Sequence, residues 1–162
     1  MRKVLMLAAL ALVAGCDQPK QRDGQAAPAP APVAAAAPAL PAWAEGLMGQ
    51  SVATAFPGTF DCKAFVDGAT ERSPERVNIV GWSWIPAAGA GAGQIIVADP
   101  SGRIVGFGQG GIARPDVPAA LKDVTRPDVG FQASSTVTSG KVAVFGVDAA
   151  AKTACKLGEA TL

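Results

Sequence analysis

The chain has no histidine and no tyrosine. Without histidine it can assemble neither a Ser-His-Asp nor a Cys-His catalytic arrangement, nor a His-ligated zinc, and it lacks the side chain that most readily moves protons near neutral pH. Charge is also scarce, with 14 Lys and Arg set against 13 Asp and Glu in 162 residues. A balance so close to neutral argues against a nucleic-acid partner, which would demand a basic face. No apolar run approaches the ~20 residues that a membrane-spanning helix needs. There are three cysteines, too few and too widely spaced for a cysteine metal cluster or a close redox pair, so neither metal nor cofactor is expected.

The start of the chain carries an address. Arg2 and Lys3 are followed by an almost wholly apolar run from Val4 to Val13. At about 1.5 Å per residue this is the core of a secretory signal rather than a membrane span. It ends in Val13-Ala14-Gly15-Cys16, which resembles the lipobox of bacterial lipoprotein precursors. The resemblance implies a signal peptide over residues 1–15, cleavage before Cys16, a diacylglyceryl group on the Cys16 sulfur and acylation of the new amino terminus. Each buried methylene adds about 0.8 kcal/mol, so two or three chains would anchor the protein for good. The expected location is the extracytoplasmic or periplasmic side of a bacterial membrane. Asp17 resembles the inner-membrane retention signal of enteric bacteria and favours that membrane.

Residues 16–40 form the lipidated terminus and a linker. Ala26-Ala27-Pro28-Ala29-Pro30-Ala31-Pro32 offers no side chains to pack and several residues that cannot donate a hydrogen bond, so a semi-extended tether is expected. At ~3.1 Å per residue it would reach about 70 Å from the bilayer. The remaining residues, 41–162, are expected to form one domain.

Within that domain, Trp43, Leu47 and Met48 allow a short helix or turn on the edge, and the pattern then becomes β. Strands are expected over Thr59 to Val66, Arg76 to Trp84, Gln94 to Ala98, Arg103 to Phe107, Phe131 to Thr138, Lys141 to Val147 and Ala154 to Leu157. Asp99-Pro100-Ser101-Gly102 reads as a hairpin turn, and Ser139-Gly140 as a second. Pro118 to Lys122 is the expected helical insertion, with Asp116 as its cap. Many short strands with turn signals between them point to an all-β fold, an immunoglobulin-like β-sandwich with a short helical insertion.

With Cys16 assigned to lipid, Cys62 and Cys155 remain for a disulfide in an oxidising compartment. Closing a loop of roughly 90 residues contributes about 4 to 5 kcal/mol in the chain-entropy model.

The remaining motifs have plainer readings beside functional ones. Gly106 to Gly111 matches G-x-G-x-x-G, but no amphipathic helix follows, and a bulge or twisted strand end explains the glycines better than a phosphate site. Ala88 to Gly93 reads as a mobile loop. Trp82 and Trp84 share a strand face with Val80, which favours burial, and Trp84 is the candidate ligand-binding residue through sugar stacking. Asp61, Asp67, Asp116 and Asp128 admit an acid/base pair, but no spacing singles one out.

Gly58-Thr59-Phe60-Asp61, Val77-Asn78-Ile79-Val80-Gly81-Trp82, the hairpin with Gly102, Arg114-Pro115-Asp116-Val117 and Gly130-Phe131 together resemble a small β-sandwich module of bacterial cell-envelope proteins. That module accompanies membrane glycosyltransferases and other surface-polysaccharide proteins. The resemblance implies an accessory extracytoplasmic domain and supplies no catalytic residues. Ser83-Trp84 departs from the pattern, and Arg126-Pro127-Asp128-Val129 repeats its turn.

The expected function is therefore a lipid-anchored, non-enzymatic binding or structural domain of the cell envelope. Its partners are the membrane, through the anchor, and an envelope glycan or membrane protein. Two alternatives stand beside it. One is a carboxylate-dependent enzyme acting on cell-wall or surface polysaccharide. The other is an inhibitor or immunity lipoprotein presenting a protruding loop over Ala87 to Gly93.

Overall fold

In the computed structural model the described residues are 40–162, so Cys16, the signal and most of the linker lie outside them. Eight strands follow one another: β1 (Gly58–Thr59), β2 (Lys63–Arg72), β3 (Val77–Trp84), β4 (Gln94–Ala98), β5 (Ile104–Ile112), β6 (Gly130–Ser135), β7 (Lys141–Asp148) and β8 (Thr153–Thr161). Two short helices interrupt them, α1 (Val52–Ala55) before β1 and α2 (Asp116–Ala120) between β5 and β6. The domain is thus all-β with a short helical insertion. None of the helices among the described residues is long and apolar enough to cross a membrane.

The strands make one sheet in the order β1-β8-β7-β4-β5-β6-β3-β2. The short β1 runs parallel to β8 and the other pairings are antiparallel, so the sheet is mixed. It curls until strands far apart in that order meet. Val66 of β2 lies so close to Gly158 of β8 that a β-carbon on the glycine would stand 2.8 Å from the valine methyl.

Curling gives the sheet an inner face and an outer one, and β4 is buried on both. Ile95 and Val97 point into an inner cluster with Ile79, Phe131, Val144 and Leu157. Ile96 and Ala98 point outward, where Ala44, Val52 and Phe56 of the segment preceding β1 cover them together with Phe107. Burial on both faces is why Gln94 to Ala98 reads as a continuous apolar run rather than an alternation. Trp43 belongs to this cover, half-buried and edge-on to Phe107 with ring centroids 5.7 Å apart.

The Asp99 hairpin joins β4 to β5. Asp99 Oδ1 accepts from the Ser101 and Arg103 amides at 2.9 and 3.0 Å and from the Ser101 hydroxyl at 2.6 Å, while Gly102 takes a positive φ of 79°. Local chemistry closes this turn. The expected hairpin at Ser139-Gly140 does not form. β6 lies between β5 and β3, and β7 lies between β4 and β8. At the end of β6 the Ser135 hydroxyl donates to the Val137 carbonyl and accepts from its amide, and the Thr136 hydroxyl donates to the Val105 carbonyl. The chain is thereby latched to β5 and arches across the β4–β5 hairpin before β7 begins.

Glycines set how closely the walls approach. A β-carbon at Gly81 would fall on the Phe65 carbonyl oxygen and 2.6 Å from the ring edge of Phe131. On β5 the G-x-G-x-x-G stretch is strand throughout, with a register shift between Gly110 and Ile112 and φ of 88° at Gly111. These glycines make a bulge at a strand end.

Candidate functional site

Two places gather polar chemistry against aromatic or apolar surface. The first is the segment 113–129, which lies over the outer face of β3. Val117, Val124 and Val129 pack there on Trp84, with Trp82 half-buried beside them. Trp84 is only 4% exposed. It is a core residue under the insertion and has no face open to a sugar, so its candidacy as the ligand-binding residue ends here. The alternation that puts Trp82 and Trp84 on one face was legible; the cover over that face was not.

The two Arg-Pro-Asp-Val copies shape this insertion in the same way. Arg114 donates through Nε and Nη2 to Asp116 at 3.0 and 2.8 Å, and Arg126 donates through Nε and Nη2 to Asp128 at 2.9 and 2.6 Å. Each proline stands inside its fork, each valine enters the cluster on Trp84, and the Arg114 amide donates to the Pro127 carbonyl at 2.6 Å. Asp116 does not cap α2 with its side chain: its carboxylate is taken by Arg114, and Pro115 stands at the cap position with no side-chain bond. A bidentate guanidinium outcompetes a single backbone amide for a carboxylate.

Two further ion pairs fasten the insertion to β2. Arg114 Nη1 reaches Asp67 at 2.5 Å, and Lys63 pairs with Asp123. Arg114 thus holds two carboxylates and stays firmly charged, through its bond to Asp116 first and to Asp67 next. The Arg114 fork holds Asp116 below the ordinary carboxylate range, as Arg126 does for Asp128 and Lys63 for Asp123. A general acid needs the opposite shift, so these carboxylates are built to stay ionised. Asp61 is exposed between β1 and β2, apart from this group.

These depressed values predict the acid response. Each group stabilises the fold while the pH is above its unfolded value of 3.8 and loses that contribution as the pH falls through the lower folded value. Denaturant titrations should therefore show stability declining below about pH 4, and Arg114→Met should flatten that decline. An unchanged acid limb in the variant would remove Arg114 as its cause.

The second place is a shallow, open cleft of about 520 Å³ at one end of the curled sheet. Phe60, Ile85, Ala92 and Val147 supply its apolar wall. Gln94, Asp148 and Thr153 supply its polar edge. The segment 85–93 bounds it without standing free. Ile85 bridges to Ala90, the Ala92 amide donates to the buried Ser83 hydroxyl at 2.9 Å, and the Gly93 carbonyl accepts from Gly110. Ala92 is 2% exposed. The loop expected to be mobile, and to protrude in the inhibitor reading, is tied at both ends, while Pro86, Ala87 and Ala88 stay exposed at its tip.

Cys62 and Cys155 are bonded beside this cleft with Cα atoms 6.2 Å apart, inside the range a disulfide requires. Cys62 follows Phe60 by two residues and Cys155 follows Thr153 by two, so the bridge braces two walls of the cleft. The Phe60 amide, donating to the Ala154 carbonyl, adds a backbone tie.

Comparison with known protein families, curated proteins and solved structures finds no match.

The cleft residues escaped the sequence reading because they are scattered over β4, β7, β8, the segment 85–93 and the segment after β1. No short motif holds them. The repeated Arg-Pro-Asp-Val turn was visible as a pattern, while the tie from Arg114 to Asp67 needed a neighbour from β2. Among the described residues no group of three or more acidic or sulfur ligands gathers as a metal site.

Proposed function

We propose that this chain is a lipid-anchored accessory protein of the bacterial cell envelope, whose β-domain binds or positions another envelope component without chemistry of its own. The observation that carries the reading is the Cys62–Cys155 bridge. A disulfide of this kind belongs to an oxidising compartment, which is where the signal and the Val13-Ala14-Gly15-Cys16 sequence would deliver the domain. Lipid on Cys16 and the Ala/Pro tether would then hold the domain above the membrane, with the inner membrane favoured by Asp17.

The module resemblance supports an envelope-glycan or membrane-protein partner. β4, β5 and β6 are neighbours and β7 returns beside β4, the Greek-key order common in β-sandwiches. We therefore read the curled sheet as sandwich-like.

Fractionation of cells expressing the full chain and its Cys16→Ser variant tests the anchor. The native chain is expected with the membranes after a high-salt wash. The variant is expected in the soluble extracytoplasmic fraction with its Cys62–Cys155 bridge intact. A variant that still sediments with membranes, or a native chain that stays in the cytosol, would refute the assignment.

A further inference from the structure

The cleft at the end of the sheet has a composition that selects a ligand. Its size falls in the range of small-molecule sites, with apolar walls and a few polar groups. Its polar atoms are partly spent on the fold. Gln94 Oε1 accepts from the Ala149 amide at 2.9 Å, and Asp148 Oδ1 accepts from the Ala150 and Ala151 amides at 3.0 and 2.9 Å. These bonds hold one oxygen of each side chain and leave the other polar atom of each without a bond. Among the described residues nothing bonds to Gln94 Nε2, Asp148 Oδ2 or the Thr153 hydroxyl. Among the described residues that line the cleft, Asp148 is the one that carries charge.

We infer that this cleft binds a small organic amine, its apolar body against Phe60, Ile85 and Val147 and its ammonium on Asp148 Oδ2. Gln94 Nε2 and the Thr153 hydroxyl remain for an oxygen near the amine. Charge complementarity decides the class. A lone carboxylate at the mouth of an apolar cleft attracts a cation, repels an anion, and gives a neutral polar head a weaker bond than a charged one. The inference rests on reading the domain as a binding module, and it names a ligand class for that module. The disulfide beside Phe60 and Thr153 keeps the walls in place before a ligand arrives, which lowers the ordering cost of binding.

Three probes of one shape test it: 2-phenylethylamine, 2-phenylethanol and phenylacetate, titrated into the isotope-labelled full chain and followed by amide chemical shifts. The amine is expected to bind about tenfold more tightly than the alcohol, the worth of one charge-assisted bond, with the acid weakest. Shifts should centre on Gln94, Asp148 and Thr153. Asp148→Asn keeps an oxygen for the Ala150 and Ala151 amides while removing the charge, and should erase the amine's advantage without weakening the alcohol. Gly93→Leu fills the cleft from a position where a β-carbon meets nothing within 4 Å, and should abolish all three signals with the remaining spectrum unchanged. Equal binding of amine and alcohol, preference for the acid, an amine advantage that survives Asp148→Asn, or no binding at millimolar concentration would each overturn the inference. None of these outcomes would move Cys16-dependent fractionation, so failure here is separable from failure of the anchored-module reading.

Discussion

The full chain carrying Cys62→Ser or Cys155→Ser is expected to unfold more readily than the native protein, by about 2 to 4 kcal/mol in denaturant titration. The bridge closes a loop with a sequence separation of 93 residues. For such a loop the entropy removed from the unfolded chain is worth about 4 to 5 kcal/mol, and compact unfolded states reduce that figure in practice. The bridge has a second effect in the folded state. β2 and β8 stand close but are not paired as neighbours in the sheet, so no ladder of backbone hydrogen bonds joins them. The disulfide and the packing of Val66 against β8 hold that seam. Reductant should lower the native protein to the level of the variants and leave the variants where they are. Cys16→Ser should leave the unfolding midpoint alone. Native-like stability in Cys62→Ser would show that the bridge adds nothing to the fold.

Trp84→Ala is expected to cost about 3 to 5 kcal/mol, the usual range for emptying a buried aromatic position. Trp84 is the largest member of the cluster formed with Val117, Val124 and Val129. Those valines come from the insertion, so losing the indole removes the surface that the insertion packs on. The exposed pair Lys63–Asp123 and the half-buried pair Arg114–Asp67 would remain, and an exposed pair such as the first holds only weakly. Local release should therefore accompany the global loss. Hydrogen exchange should rise across residues 113–129 before the inner strands are affected, and trypsin should cut faster after Lys122. Trp84→Phe should show the same pattern at smaller size. A uniform rise in exchange, with the insertion no more affected than β4, would mean that the cluster does not hold it.

Both results depend on partners that the sequence could only partly name. The pairing of Cys62 with Cys155 followed from elimination once the lipobox resemblance set Cys16 aside. Trp84 was legible as one of two indoles on a strand face, yet its neighbours come from more than thirty residues downstream, and nothing local says that a loop returns to cover it. A residue that reads as a surface platform and one that reads as core differ only in what folds over them.

The strands divide along the same line. β3, β4 and the start of β5 were readable because their information is local: apolar periodicity, and between β4 and β5 an aspartate, a proline and a glycine that close a turn by themselves. The same kind of signal at Ser139-Gly140 misled, because a tight turn states only that the chain reverses, while the strand that receives it is chosen by burial. Ile95 and Val97 on one face of β4, and Ile96 and Ala98 on the other, need cover on both sides and neighbours on both edges. β7 fills one of those edges instead of pairing with β6.

By itself the sequence determined the β character, the Asp99 hairpin, the bulge-forming glycines of β5 and the cysteine pair, because each is set by groups close in the chain or by elimination among very few residues. Only the tertiary structure decided the strand order, the burial of Trp84, the diversion of Asp116 from helix cap to Arg114 and the meeting of Gln94, Asp148 and Thr153 at one cleft. Those are outcomes of competition among distant groups for burial and for hydrogen-bond partners, and the winner is set by which contact excludes the most water and satisfies the most polar atoms at once.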